Sequence, residues 1–102
     1  MNEQVIALGN TVIDRKSYEV RVNGNTVILP LKEFELLAQL ANYPNQIFTR
    51  DQLIELVWGN DFIGNDRTVD VHIKRLRERF ANSNHDFSIK TIRGVGYKLE
   101  QV

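Results

Sequence analysis

The 102 residues of this chain suffice for one compact domain with a modest core. Hydrophobic residues make up 42% and charged residues 25%, which is ordinary globular usage and argues against disorder. Lysine and arginine (13) balance aspartate and glutamate (13), cysteine is absent, and no apolar run approaches the roughly 20 residues that span a bilayer. These totals exclude thiolate chemistry, and they favour a single domain over residues 1–102 in a reducing, cytoplasmic setting.

The first 29 residues predict short β-strands. Their segments QVIALGN, TVIDR, YEVRVNG and NTVILP are rich in β-branched residues and partly alternate in polarity. Asn23-Gly24 separates the last two segments, and this pair readily adopts the positive φ angles of a tight hairpin turn. We expect a small antiparallel sheet of three or four strands.

A first helix is predicted from about Leu31 to Asn42, and it is expected to end before Pro44. Apolar residues recur in it at spacings of three and four, which places on one face Leu31, Phe34, Leu37, Leu40 and Ala41.

A second helix is predicted in TRDQLIELVWG. Thr49 and Gln52 have the spacing of a capping box, and Gly59 is a typical helix end. The inner face of this helix is predicted to contain Leu53, Leu56 and Val57.

A third helix is predicted in RTVDVHIKRLRERF, with Asp66 as its N-cap. At about 100° per residue, one narrow stripe faces the core and contains Val69, Ile73, Leu76 and Phe80. The opposite face is mostly basic and contains Arg67, Val71, Lys74, Arg75 and Glu78.

The charges of the chain are unevenly distributed along it. Residues 1–66 carry 5 basic and 9 acidic side chains, a net charge of −4, whereas residues 67–98 carry 8 basic and 3 acidic ones, a net charge of +5. A basic patch, rather than a basic total, is the electrostatic feature expected of a nucleic-acid-binding protein.

The end of the chain predicts a β-hairpin, with FSIKTI and YKLEQV as its strands and RGVG as its tip. Two interpretations of Arg93 are open. The glycines keep the backbone thin, so Arg93 could enter a narrow minor groove; alternatively, it is simply an exposed turn residue. A sheet, three helices and a hairpin give the α+β fold of a winged helix, in which the last two helices form a helix-turn-helix with a long loop and the hairpin is the wing.

Other interpretations of these features remain open. The basic face of the third helix is either a solvated surface or a DNA-reading surface, and Trp58 either belongs to the core or reaches a phosphate with its indole N–H. A winged helix that binds protein would favour a mixed or apolar third-helix face, and an RNA-binding sheet would carry exposed aromatic residues. His72 and His85 lack the spacing of a metal site. No motif indicates a catalytic residue, a metal or a cofactor.

The segments DRTVDVHIKRLRERF and KTIRGVGYKL, together with LPLKEFELL and TRDQLIELVWG, closely resemble the effector domain of OmpR/PhoB-type bacterial response regulators. The resemblance covers nearly the whole chain. It implies a winged helix that binds promoter DNA in a sequence-specific way and is not an enzyme. Its third helix would enter the major groove and its wing the minor groove.

The resemblance also implies the residues that would contact DNA and the transcription machinery. The third helix would face bases with Asp70, Val71, Lys74 and Arg75, and Arg93 would enter the minor groove. The DNA backbone would be contacted by Trp58, Arg67, Thr68, His72, Arg77, Thr91 and Tyr97. The loop from Gly59 to Asp66 would contact RNA polymerase through Asn60, Asp61, Phe62, Ile63 and Asn65, although Phe62 packing into the core is an equal alternative.

The partners implied by the resemblance are double-stranded promoter DNA with direct repeats, RNA polymerase, a receiver domain and a sensor kinase. A membrane is not among the expected partners. The isolated domain is expected to be a monomer that forms a tandem dimer on DNA. Because these 102 residues show no alternating βα pattern of a receiver domain, we expect either a fragment of a longer regulator or a stand-alone regulator, and we favour the fragment.

Overall fold

The computed structural model describes residues 4–82 and 86–102. In these two ranges, three helices lie between an N-terminal four-stranded sheet and a C-terminal three-stranded sheet. His85, considered above as a metal ligand, lies outside the described residues. The α+β winged helix predicted from the sequence is confirmed.

The N-terminal sheet is antiparallel, with its strands in chain order: β1 (Val5–Leu8), β2 (Thr11–Asp14), β3 (Glu19–Val22) and β4 (Asn25–Val27). The predicted hairpin turn is also confirmed, because Asn23 and Gly24 alone connect β3 to β4 with φ angles of 52° and 83°. Such angles give the turn a twist that matches the twist of the two strands.

Helix α1 (Leu31–Asn42) has the predicted bounds. It contacts both β1 and helix α3, and most of its residues are therefore buried, including Leu36, which the predicted stripe left out. The prediction was wrong for Leu31, which is 55% exposed. Side chains of a helix tilt toward its N-terminus, so the first residue of α1 extends past the core into solvent.

The second helix begins as predicted but changes register midway. Helix α2 (Arg50–Leu53) has the full capping box, in which Thr49 Oγ1 accepts from Gln52 N and Gln52 Oε1 accepts from Thr49 N. A π-helical segment (Ile54–Trp58) follows, and it closes with a bond of 2.9 Å from Gly59 N to Ile54 O. The π-helical segment follows α2 directly, so the predicted helix is continuous but not α-helical throughout.

Because of this change of register, the predicted inner face is wrong at one of its three residues. Leu53 and Val57 are buried, but Leu56 is 55% exposed. A turn with i→i+5 hydrogen bonds is wider than an α-turn, and it rotates Leu56 away from the face that contains Leu53. The end of the segment is held by Lys32 of α1, whose Nζ donates a bond of 2.9 Å to Val57 O.

Helix α3 (Arg67–Phe80) buries the predicted stripe of Val69, Ile73, Leu76 and Phe80. Asp66 stands at the N-cap position, but the prediction that its side chain caps the helix was wrong. The backbone of Asp66 is already close to helical (φ −70°, ψ −8°), whereas a capping residue is normally extended. Asn65 Oδ1 accepts the bond from Arg67 N instead, at 2.9 Å.

The C-terminal sheet contains the predicted hairpin, β6 (Phe87–Ile92) and β7 (Gly96–Gln101), and also β5 (Phe48–Thr49). The strand order is β5-β7-β6, so the wing is attached to the chain just before α2. Gly96 pairs with Thr49 so closely that a Cβ atom on Gly96 would lie 1.9 Å from Phe48 O. This contact fixes the base of the wing, and β5 was missed because two residues show no alternation.

One contiguous core joins both sheets to the helices. Within the described ranges, no helix has the length and apolar character to cross a membrane.

Candidate nucleic-acid interface

The outward face of α3 is the one predicted. Arg67, Lys74 and Arg75 are exposed along it, and Val71 is 44% exposed between them. All four project away from the buried stripe, so a rigid helix presents them together. Long side chains that end in hydrogen-bond donors, together with a small apolar side chain on the same helical face, are suited to contact the edges of bases in a major groove.

The tip of the wing is a tight turn. Val95 N donates a bond of 2.9 Å to Ile92 O, and Gly94 supplies the positive φ of 75° that the turn needs. Arg93 is exposed on this turn, and Thr91 is exposed on the strand that leads to it. The backbone at the tip is therefore slim enough to bring an arginine into a narrow groove.

Between α3 and the wing, three elements meet at the carboxylate of Asp70. Its Oδ1 accepts a bond of 2.8 Å from Arg50 Nε, at the start of α2, and one of 2.5 Å from the Tyr97 hydroxyl, on β7. The Arg50 guanidinium also lies 5.8 Å from the centre of the Tyr97 ring. Asp70 thus ties α3 to both α2 and the wing.

The pKa values at this junction follow from its geometry. Burial raises the pKa of Asp70, but the bonds from Arg50 and Tyr97 and the charges of Arg50 and Arg67 outweigh burial and hold it below its usual value. Burial, followed by the bond to the Asp70 carboxylate and its negative charge, raises the pKa of Tyr97. Asp70 is therefore charged and Tyr97 neutral near pH 7.

A second bridge between α3 and the wing is formed by Arg77. Its Nη2 donates bonds of 2.6 Å to Ile89 O and 2.9 Å to Thr91 Oγ1, and its Nε lies 3.2 Å from Ile89 O. Its guanidinium lies 5.9 Å from the centre of the Tyr97 ring. Arg77 therefore sets the spacing between helix and wing, and its predicted phosphate contact stays a prediction.

The flank of α3 carries Trp58, at the end of the π-helical segment. Its half-buried ring lies edge-on to His72, at a centroid distance of 5.0 Å, and 6.1 Å from Phe62. His72 Nδ1 lies 2.7 Å from Thr68 O. Among the described residues, the indole N–H of Trp58 has no hydrogen-bond acceptor, so the ring packs inward while its donor stays available.

The loop between the π-helical segment and α3 separates two apolar side chains. Phe62 packs on Trp58 and also lies under Gly64, where an added Cβ atom would be 2.8 Å from its ring. Ile63 is 96% exposed. Of the two candidates for an exposed apolar contact in this loop, the structure exposes Ile63 and packs Phe62.

Sequence reasoning missed Arg50, which stands in the acidic part of the chain and 47 residues before Tyr97. One signal was available. Arg50 is the first residue of α2, where the helix dipole disfavours a cation, and such a placement indicates a carboxylate partner elsewhere. The sequence alone could not identify Asp70 as that partner.

Comparison with known proteins finds relatives that are transcriptional and response regulators. Residues 24–99 match the family model described as "Transcriptional regulatory protein, C terminal". The heme response regulator HssR of Staphylococcus aureus is 50% identical over 95 residues, which are 93% of this chain but 42% of HssR. The chain thus spans less than half the length of this curated relative.

Two solved structures show the same fold. The DNA-binding domain of Klebsiella pneumoniae RstA, crystallised in complex with the RstA box, has a TM-score of 0.82 and 34% identity, covering 96% of this chain and 98% of that one. The response regulator DrrB of Thermotoga maritima, an OmpR/PhoB homologue, has a TM-score of 0.84 and 35% identity, covering 97% of this chain and 45% of that one.

Proposed function

Since the chain belongs to the family of transcriptional regulatory protein C-terminal domains, the DNA-binding domains of OmpR/PhoB-type response regulators, we propose that it reads promoter DNA with α3 in the major groove and the wing in the minor groove. The observation that carries the proposal is the link between two exposed basic elements. The exposed face of α3 is joined to the wing by the bonds of Arg77 and Asp70, so the helix and the hairpin that carries Arg93 are held in a defined relative position.

The proposed base readers lie on the outward face of α3. Arg75 is suited to a guanine edge, which it can bind with two parallel bonds, and Val71 to the methyl group of thymine. Lys74 and Asp70 supply a donor and an acceptor on the same face, and Arg93 reads the minor groove by its width and its negative potential.

The proposed phosphate contacts surround these readers and fix the register of the helix on DNA: Trp58, Arg67, Thr68, His72, Arg77, Thr91 and Tyr97. Support comes from their positions on the flank of α3 and at the base of the wing. Arg77 already carries internal bonds, so its DNA contact would add to a structural role, whereas a phosphate contact by Tyr97 would require its hydroxyl to turn away from Asp70.

The proposal is tested by selecting duplexes from a random pool with this 102-residue chain. The enriched duplex and a scrambled one are then titrated at several salt concentrations. We expect tighter binding to the enriched duplex, and for each duplex a linear fall of log affinity with log salt, because bound phosphates release counterions. Equal affinity for both duplexes would refute sequence reading. No salt-dependent binding to either would favour a winged helix that contacts protein.

We further propose that two copies bind adjacent half-sites in head-to-tail order, each chain being a monomer when free. The resemblance to the family supports this arrangement. A duplex with a direct repeat of the selected half-site should bind two copies more tightly than one in which a half-site is inverted. Equal binding of the inverted repeat would contradict tandem assembly.

For the whole protein, we propose a longer cytoplasmic regulator whose receiver domain is phosphorylated by a sensor kinase. The support is that HssR, a response regulator, is more than twice as long as the segment matched here.

We also propose that the loop after Trp58 contacts RNA polymerase. The residues that would make this contact are all exposed: Asn60, Asp61, Ile63 and Asn65. Phe62 packs beneath them and stabilises the loop.

A further inference from the structure

The carboxylate of Asp70 has an asymmetric environment. Within residues 4–82 and 86–102 its carboxylate accepts two hydrogen bonds, from Arg50 Nε and from the Tyr97 hydroxyl; both end on Oδ1 and none ends on Oδ2. The side chain of Asp70 remains 37% exposed. One oxygen is thus clamped from two elements, while the carboxylate as a whole is still accessible on the surface of α3.

An unclamped aspartate would be a poor base reader. Phosphate groups repel its charge, and free rotation about its side-chain bonds costs entropy when a single geometry is required. The Arg50 guanidinium offsets the negative charge of Asp70 at 2.8 Å, and the donors from α2 and β7 hold the carboxylate from two directions. The aspartate is therefore oriented before DNA arrives.

A fixed carboxylate has a definite preference among bases. When ionised it only accepts hydrogen bonds, so it favours the amino groups of cytosine and adenine and is repelled by the carbonyl oxygens of guanine and thymine. Its discrimination among bases depends on a fixed orientation of the carboxylate. If the carboxylate could turn away from an unsuitable base, it would lose the repulsion that excludes that base.

Resting on the DNA-reading function proposed above, we propose that Arg50 and Tyr97 are positioning residues that hold Asp70 as an acceptor-only reader of one base pair. Arg50 thereby acts through Asp70 rather than as a phosphate contact. Because its single hydrogen is donated to Asp70, the Tyr97 hydroxyl likewise acts by aiming Asp70, and this role is the alternative to its phosphate contact.

The test compares base preference at every position of the selected duplex for Asp70→Asn, Tyr97→Phe, Arg50→Lys and the parent chain. Tyr97→Phe keeps the buried ring and removes only the hydroxyl. Arg50→Lys keeps the charge and removes the planar donor geometry. Tyr18→Phe is the matched control, because Tyr18 is 56% exposed on the N-terminal side of the molecule.

We expect Tyr97→Phe and Arg50→Lys to relax discrimination by about three- to tenfold, the effect of one hydrogen bond, at the same base pair that Asp70→Asn relaxes. The Asp70→Asn/Tyr97→Phe double variant should relax it no further than Asp70→Asn alone. Affinity for the scrambled duplex should stay at the parent value in Arg50→Lys and Tyr97→Phe, since no phosphate contact is lost.

Several results would overturn the proposal. One is relaxation of all base pairs together with a lower Tm, which would indicate a purely structural role. Another is an equal loss of affinity for the selected and the scrambled duplex, which would make Arg50 or Tyr97 a phosphate contact. A third is an unchanged preference in Asp70→Asn. Failure of the parent chain to enrich any duplex is a separate result that would overturn the proposed function itself.

Discussion

Arg79 of α3 donates a hydrogen bond of 2.5 Å from its Nε to Oε1 of Glu33, on α1, and Glu33 is only 1% exposed. A carboxylate so deeply buried is tolerated because a cation and a hydrogen bond meet it there. Arg79 therefore stabilises the contact between α1 and α3, and it is not part of the DNA-facing basic surface, although it extends the same run of basic residues in the sequence.

The Glu33–Arg79 pair predicts a large loss of stability when only the cation is removed. Arg79→Met leaves the Glu33 carboxylate buried without its partner. We expect a loss of about 2–3 kcal/mol, less than the roughly 3–5 kcal/mol of fully buried pairs, because the Arg79 side chain is 39% exposed. Thermal melting should show this as a Tm roughly 10–20 °C lower.

Two variants sharpen the Arg79 experiment. Arg75→Met, on the exposed face of α3, should change stability by no more than about 0.5 kcal/mol. The double variant Glu33→Met/Arg79→Met should recover much of the loss, because no charge is then left unpaired. Equal melting of the two single variants would contradict the stabilising role of Arg79.

The lowered pKa of Asp70 predicts how stability changes in acid. Because the folded-state pKa lies below the unfolded-state value of about 3.9, the contribution of the ionised carboxylate is fully present above that value and is lost as pH falls through the folded-state pKa. Urea unfolding of Asp70→Asn and the parent chain should therefore show a constant stability gap above about pH 5 that shrinks below pH 4. The exposed Asp51→Asn serves as a control, and a gap that widens in acid would refute the assigned direction.

The sequence was sufficient for the fold wherever the signal was periodic and local. The α3 stripe, the α1 bounds and the Asn23-Gly24 turn are all confirmed, because each depends on side-chain spacing or on one residue's φ preference. The sequence failed where tertiary contacts decide. The π-helical register and strand β5 depend on packing against other elements, and the Arg50–Asp70–Tyr97 junction joins residues from three separate parts of the chain.

The π-helical register predicts opposite outcomes for two leucines that α-helical spacing would place on one face. Leu53→Ala should cost about 2–5 kcal/mol, because it opens a cavity at a fully buried position. Leu56→Ala should cost less than about 1 kcal/mol, since Leu56 is 55% exposed. Chemical denaturation of both variants measures the difference, and similar losses would mean that the segment is α-helical in solution.

The exposed loop predicts that transcription can be separated from DNA binding. Ile63→Ser changes a side chain that is 96% exposed, so Tm and DNA affinity should remain at parent values while activated transcription in a reconstituted assay falls. Ile28→Ser is the matched control, because Ile28 is 83% exposed in the segment that leads to α1. If Ile63→Ser lowered DNA affinity in step with transcription, the loop would not be a separate contact surface.

The two arginines Arg75 and Arg77 are predicted to separate reading from holding. Arg75 is exposed opposite the buried stripe, so Arg75→Ala should keep the parent Tm and lose about 1–3 kcal/mol of discrimination for the selected duplex. Arg77 bridges to Ile89 O and Thr91 Oγ1, so Arg77→Ala should lower Tm, weaken binding to selected and scrambled duplexes alike, and make the log–log salt slope shallower by roughly 0.9. Titration of both variants on both duplexes, with melting curves in parallel, measures each quantity. Equal losses for Arg75→Ala on the two duplexes would place Arg75 on a phosphate and shift the register of α3 in the groove, whereas an unchanged salt slope in Arg77→Ala would leave Arg77 with its bridging role alone.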